Sequence, residues 1–362
     1  MKRILTALLC LLALTACGGV PPEEAHESIQ VIAMDTPMLL TAYGESATKA
    51  VYAAEDVIRD LDARLSRTDP DSEVSRLNAA AGREMQVKGD LARLLMAANW
   101  YWECTGGAFD ITVAPVVSAW GFGGEAFRVP SQEELDALLE RVDGAGVAVM
   151  PPYVDGDGET KAVVRLAPGQ SIDLGAIAKG WAANRIAEVL RENGVERATA
   201  QLGGNVLAWG SRPDGAPWRV GVQDPARPDD PEGFVGVLEL EDAFAVTSGG
   251  YQRYFEQDGK RYHHIIDPAT GYPADSGLTS VTVVSGLGEG SGAMCDALST
   301  ALFIMGEEKA LDFWRKGLPD MEFDLILVTE DGRAVVTQPL ADRFTLDEAS
   351  GCRLEVVSHE RA

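Results

Sequence analysis

Two hydrophobic rhythms trade places along residues 29 to 337, and the irregular order in which they do so limits the possible folds more than any other property of the chain. A period near 3.6 marks Ser46 to Leu65, where Val51, Ala54, Ile58, Leu61 and Leu65 fall on one stripe. The same rhythm predicts helices at Leu91 to Cys104, at Ala176 to Asn193 before Gly194, at Gly292 to Met305 before Gly306, and at Glu307 to Trp314. Ser131 and Glu134 have capping-box spacing ahead of Leu135, Leu138, Leu139 and Val142. Strands are expected as a pair or bent strand over Ile29 to Ala42, then at Val163–Leu166, Ala198–Leu202, Trp218–Val222, Val235–Leu240, Phe244–Thr247 and Tyr262–Ile266. Others are expected at Leu278–Val284, Leu325–Thr329 and Ala334–Thr337. A doubly wound sheet needs strand and helix to alternate, and here they do not, so the expected class is α+β.

The first residues belong to a different logic. Lys2 and Arg3 precede an apolar run, Ile4 to Leu14, too short to span a bilayer. Leu14-Thr15-Ala16-Cys17 then reads as a lipoprotein cleavage box, with residues 1–16 a signal peptide and the Cys17 thiol taking the lipid. Residues 17–28 read as a tether, rich in glycine and proline at Gly18 to Glu24, and 29–350 as the folded domain. The expected location is therefore the extracytoplasmic face of a membrane. Net charge is −25 and becomes two units more negative without Lys2 and Arg3. Such a body repels nucleic acid, and any phosphate ligand must be met by a metal or a few placed donors. Of the five cysteines, only Cys104, Cys295 and Cys352 remain beyond Cys17, an odd number without CxxC spacing, so no disulfide framework is expected. The four histidines, His26, His263, His264 and His359, are too scattered for a zinc site.

Four stretches carry candidate chemistry. Gly106-Gly107-Ala108-Phe109-Asp110-Ile111-Thr112-Val113-Ala114-Pro115 leads to Trp120-Gly121-Phe122-Gly123; it either frames a flat ring or forms a tight turn over core aromatics. Ile172-Asp173-Leu174-Gly175-Ala176-Ile177-Ala178-Lys179-Gly180 puts an acid at a strand end and a lysine on the next helix, suited to a phosphate, to a metal-facing carbonyl, or to plain capping. Thr247-Ser248-Gly249-Gly250 precedes Tyr262-His263-His264-Ile265-Ile266-Asp267-Pro268-Ala269-Thr270-Gly271-Tyr272-Pro273; a histidine before that turn is a general base, a ligand-orienting donor, or a satisfied strand residue. Asp296 and Thr300 stand at i and i+4 on one helix face, either a pair of oxygen ligands that suits Mg²⁺ or a mid-helix aspartate bonded to its own backbone. Gly286-Leu287-Gly288-Glu289-Gly290 misses the dinucleotide pattern at Ser291, and no Walker A sequence is present.

Taken in order, these segments resemble the ApbE family, the FAD:protein FMN transferases. The resemblance runs from about Met34 to Gly306 and adds Met34-Asp35-Thr36, Ser72-Glu73-Val74-Ser75-Arg76-Leu77-Asn78 and Gly203-Gly204-Asn205. It implies ApbE-like mixed sheets with flanking helices, one domain, and an FAD cleft between two lobes. It also implies Mg²⁺-dependent transfer of FMN from FAD to a threonine or serine hydroxyl of a target protein, with AMP released. By the same resemblance Asp296, Thr300 and the Ala176 carbonyl hold the metal. Met34, Ala108, Phe109, Asp110, Asp173, Lys179, Thr247, Ser248, Gly249, His264 and Ile266 meet FAD, and His264 and Asp296 act in catalysis. An extracytoplasmic, membrane-associated redox protein is the expected acceptor. Three positions depart from the family pattern: Asp35 replaces a glycine, Thr68 a tyrosine, and Asn184 an aspartate. An FAD pyrophosphatase using water, and a non-catalytic FAD-binding lipoprotein, are the alternatives.

Overall fold

A computed structural model describes residues 25–124 and 126–359. Cys17, the signal segment and most of the tether lie outside these residues. The chain opens with β1 (His26–Ala33), β2 (Thr36–Tyr43), α1 (Ala47–Leu65), α2 (Glu73–Ala79), β3 (Glu84–Lys88) and α3 (Gly89–Cys104). It continues through α4 (Ala114–Ala119), α5 (Gln132–Leu139), β4 (Ala148–Val149), β5 (Tyr153–Val154), β6 (Thr160–Arg165), α6 (Ala178–Glu192), β7 (Arg197–Leu202) and β8 (Asn205–Trp209). Next come β9 (Trp218–Gln223), β10 (Phe234–Leu240), β11 (Ala243–Gly249), β12 (Tyr254–Gln257), β13 (Lys260–His263) and β14 (Leu278–Gly286). It closes with α7 (Ser291–Met305), α8 (Glu307–Lys316), β15 (Asp324–Thr329), β16 (Arg333–Thr337), β17 (Phe344–Leu346) and β18 (Arg353–Val357). The folded body thus takes in His26 to Ser28, assigned above to the tether, and extends to Val357, past residue 350.

The class is α+β, organised on a nine-stranded sheet in the order β1-β2-β7-β8-β11-β14-β15-β16-β18. Neighbours are antiparallel except β16 and β18, which run parallel. Its central strands read as unbroken apolar runs because both faces are covered. On β15, Leu325 and Leu327 enter one core while Ile326 and Val328 enter the other. β11 divides the same way, with Phe244 and Val246 opposite Ala243 and Ala245. This is the period of two expected of a strand packed on both sides. The first core is filled by α1, α3, α6 and α7; the second lies against the three-stranded sheet β17-β10-β9. The stripe predicted for α1 is buried throughout, together with Ala47 and Ala50.

Two features place the site. The β1–β2 hairpin turns on Met34 (φ 49°) and Asp35 (φ 56°), both left-handed, and a short polar residue such as Asp35 tolerates that region where the family pattern has glycine. Helices α6 and α7 touch backbone to backbone, since a Cβ on Gly180 would lie 2.2 Å from the Gly292 carbonyl oxygen. A third apolar cluster joins Val116, Trp120, Phe122, Leu135 and Ile266 beside the β12–β13 hairpin, with Trp120 Nε1 donating to Gly271 O at 2.7 Å.

Several expectations shift at element ends. The helix expected from Ala176 starts at Ala178, because Asp173 Oδ1 accepts the Gly175 N–H (2.8 Å) and holds a turn before it. The strand expected to reach Ile266 stops at His263, where the chain enters the turn closed by Gly271 N–H to Asp267 O (2.8 Å). At α5 only half of the capping box forms: Ser131 Oγ accepts the Glu134 N–H, while the Glu134 carboxylate pairs with Arg128.

Candidate active site

The N-terminal half of α7 and the start of α6 form one end of the site. Asp296 is 3% exposed, and its Oδ2 accepts the Gly180 N–H at 2.8 Å. Gly180 is the third residue of α6, one of the first-turn N–H groups that have no acceptor within the helix, and Asp296 caps it; the Ala176 carbonyl, two residues before α6, accepts no main-chain hydrogen bond among the described residues. Thr300, one turn beyond Asp296, shares a hydroxyl cluster in which Ser248 Oγ lies 3.2 Å from Thr300 Oγ1 and 2.8 Å from Ser299 Oγ. No lysine or arginine pairs with Asp296 among the described residues. A buried carboxylate without a cationic partner, a hydroxyl and a main-chain carbonyl before a helix start form a hard, all-oxygen donor set. That set fits Mg²⁺, which keeps waters in its remaining positions. Among the described residues no group of three or more His, Cys, Asp or Glu side chains gathers as a ligand set.

From this end a cleft of about 1330 Å³ runs along the molecule. Pockets for drug-sized ligands span about 300–1,000 Å³, so this one suits a dinucleotide-sized ligand. Its wall includes Met34, Ala108, Phe109, Asp110, Asp173, Ala176, Lys179, Thr247, Ser248, His264, Ile266, Asp296 and Thr300, brought together from six separate segments. Lys179 Nζ donates to Gly175 O at 3.1 Å and has no carboxylate partner among the described residues. The Met34 N–H donates to Asp62 Oδ1 at 2.7 Å, which fixes the hairpin turn against α1.

Asp110 is committed to its own loop. Its Oδ1 accepts the Thr112 N–H (2.7 Å) and hydroxyl (2.6 Å), and its Oδ2 accepts the Gly144 N–H (3.0 Å). Burial nonetheless holds its carboxyl above the usual range, against the pull of those donors. Gly249, expected among the FAD contacts, does not line the cleft. A Cβ there would lie 2.3 Å from the Tyr251 ring, so its bareness makes room for Tyr251, which does line it.

The two histidines divide their roles. His263 lies beneath the wall: its Nε2 donates to Ala274 O (3.0 Å), its Nδ1 accepts the Ile265 N–H (3.3 Å), and its ring meets Phe303 edge-on. His264 lines the cleft, with Nδ1 3.2 Å from Arg253 O. Because that oxygen can only accept, Nδ1 carries the proton and Nε2 is left as an acceptor. Burial above all, then the Arg253 charge, pushes the His264 imidazole down to about 3, and it stays neutral at physiological pH.

Two further residues have a part in the site that the motifs did not assign: Asn184, noted only as a departure from the family pattern, and Arg67. Asn184 Oδ1 accepts the Ala293 N–H at 2.9 Å, satisfying a first-turn donor of α7 and locking α7 to α6. Arg67 ion-pairs with Asp173 (Nε to Oδ2, 2.7 Å) and lines the cleft. A polar residue one turn along α6 from the Lys179-Gly180 pair was a visible signal for the first; Arg67 gave none beyond being basic in an acidic chain.

The sequence pattern of the ApbE family matches residues 34–323. A Klebsiella pneumoniae FAD:protein FMN transferase is 34% identical over 319 residues, covering 88% of this chain and 94% of that protein. A Treponema pallidum FAD:protein FMN transferase is 32% identical over 366 residues, covering 96% and 95%. Among solved structures, the ApbE protein of Thermotoga maritima superposes with a TM-score of 0.76 at 32% identity, covering 88% of this chain and 99% of that one. The flavin transferase ApbE from Vibrio cholerae gives 0.70 at 27% identity, covering 85% and 95%.

Proposed function

The chain belongs to the ApbE family, and from that premise we propose that it is an enzyme that transfers FMN from FAD to a hydroxyl of a target protein and releases AMP. The observation that carries the reading is Asp296, buried without a cationic partner and held by the first-turn Gly180 N–H, with the Ala176 carbonyl on the same wall at one end of a dinucleotide-sized cleft. Asp296, Thr300 and that carbonyl would hold Mg²⁺, which when bound supplies the charge neutralisation a pyrophosphate needs in a protein of net charge −25. Lys179 adds a point charge to the same wall. In the transfer, the target's hydroxyl oxygen attacks the FMN phosphorus, the bond to the bridging oxygen breaks, AMP leaves with that oxygen, and the hydroxyl proton is released to solvent.

His264 supports this step by geometry. Its unprotonated Nε2 accepts a hydrogen bond from the incoming hydroxyl and orients it, whereas a group titrating near 3 is a weak base at neutral pH. The acceptor is an extracytoplasmic, membrane-associated redox protein, and the lipid on Cys17 keeps the enzyme beside it; the Leu14-Thr15-Ala16-Cys17 box supports that reading. The decisive experiment incubates the protein with FAD, Mg²⁺ and threonine-bearing acceptors and runs a denaturing gel. A flavin-fluorescent acceptor band is expected; free FMN alone, with several acceptors tried, would mean hydrolysis instead.

A further inference from the structure

Arg67 has no part in the mechanism above, yet it ties three segments of the cleft wall. After α1 ends, Ser66 (φ −59°, ψ 132°) turns the chain outward, and the Arg67 side chain, 17% exposed, reaches back across the wall. Its Nε meets Asp173 Oδ2 at 2.7 Å and its Nη1 donates to Ser118 Oγ at 2.9 Å. Its Nη2 rests on bare backbone, because a Cβ on Gly123 would lie 2.5 Å away. Contacts at Nε, Nη1 and Nη2 fix the plane of the guanidinium. They also occupy much of its edge, the part through which arginine grips a phosphate, and Asp173 offsets the charge. What remains for a ligand is the flat face, and a guanidinium face is weakly hydrated and stacks on aromatic rings. The next residue, Thr68, lines the same cleft and has no ring to offer.

We propose that the Arg67 guanidinium is a ring-binding platform, its face set against one of the two aromatic ring systems of FAD. The proposal rests on FAD being the substrate. Two variants probe it from different sides. Arg67→Lys keeps the charge and can still reach Asp173, but has no plane. Gly123→Ala leaves Arg67 in place and pushes its Nη2 aside; Gly123 is outside the left-handed region, so alanine fits its backbone. The test is equilibrium binding of FAD in EDTA, read by flavin fluorescence at low and high salt, with FMN as a second direct probe, AMP as a competitor that displaces FAD, and a melting curve for each variant.

Both variants, and Arg67→Ala, are expected to weaken FAD by about tenfold, equally at both salt concentrations. Either FMN or AMP, not both, should show the same loss, which identifies the ring. Wild-type affinity in Arg67→Lys would reduce the role to pairing with Asp173 and overturn the proposal. So would a loss shared by FMN and AMP that vanishes at high salt, the signature of a phosphate contact. Should Arg67→Ala fail to fold, Gly123→Ala decides alone. Unaltered protein that binds no FAD would sink the substrate reading and this platform with it, whereas normal binding in all variants sinks the platform only.

Discussion

At the scale of single residues, the site depends on where a few backbone and side-chain protons go. Asp296 is the carboxylate of the proposed metal site, and its position is set by a main-chain N–H from another helix. Changing an outer partner of a metal ligand typically costs about 10–100-fold, so removing the carboxylate itself should cost more. Asp296→Ala is expected to lower Mg²⁺-dependent AMP release from FAD by at least about a hundredfold, measured by chromatography of the nucleotide products; near-normal release would remove Asp296 from the metal site. His264 makes a prediction of opposite character. Its folded pKa of about 3 lies below the ordinary histidine value, so between the two the unfolded chain binds the extra proton. The contribution of neutral His264 to stability is therefore complete above about pH 6.5 and is lost as pH falls toward 3. His264→Gln should flatten the acid-side fall in melting temperature across that window. The transfer rate of the unaltered enzyme should show no inflection near 6.5 attributable to this residue, and an inflection abolished by His264→Gln would contradict the neutral assignment.

At the scale of elements, the crossing of α6 and α7 holds the site. Gly180 and Gly292 let the two backbones meet, and Asn184 bonds the first turn of α7. Gly180→Ala must push the helices apart, since its Cβ would lie 2.2 Å from a carbonyl oxygen. A loss of about 3 kcal/mol is expected, the upper end of overpacking costs, read from the midpoint of urea unfolding. Asn184→Ala leaves a buried N–H unmet and should cost about 1 kcal/mol. Asn184→Asp keeps the acceptor oxygen and puts a negative charge at a helix start, so it should cost less; the reverse order would show that the amide nitrogen, not the oxygen, matters. Little of this crossing was legible in the sequence. The stripe on α1 and the i, i+4 pair on α7 were, because helical spacing is local and fixes which residues share a face. Which helix would meet Asp296, and that a first-turn N–H of that helix would hold its carboxylate, depends on contacts between residues 116 positions apart. The same limit explains β8, α2 and β18, which no expectation covered. β8 is a short strand whose identity comes from pairing with β7 and β11, and β18 exists because β16 offers it an edge. Gly249, which the resemblance placed among the FAD contacts, stays off the cleft wall, and its close neighbour is a tyrosine of the same chain.

At the scale of the molecule, the chemistry is confined to one wall of an acidic body, and the acceptor must come to it. A protein of net charge −25 gives no long-range attraction to an acidic partner, so encounter depends on confinement instead. Under the proposed lipidation of Cys17, enzyme and a membrane-bound acceptor share a surface, and the short tether sets their effective concentration. This separates two quantities that a single activity assay merges. Cys17→Ser should leave AMP release and transfer to a soluble acceptor domain unchanged in vitro, because the described residues of the catalytic wall run from Met34 onward in sequence. In cells the same variant should move to the soluble fraction and lower flavinylation of membrane acceptors, read as in-gel flavin fluorescence of the membrane fraction. If the variant protein stays in the membrane fraction, the anchor is not at Cys17. If it becomes soluble while membrane flavinylation is unchanged, the anchor is an address without kinetic consequence, and recognition of the acceptor must reside in the folded body.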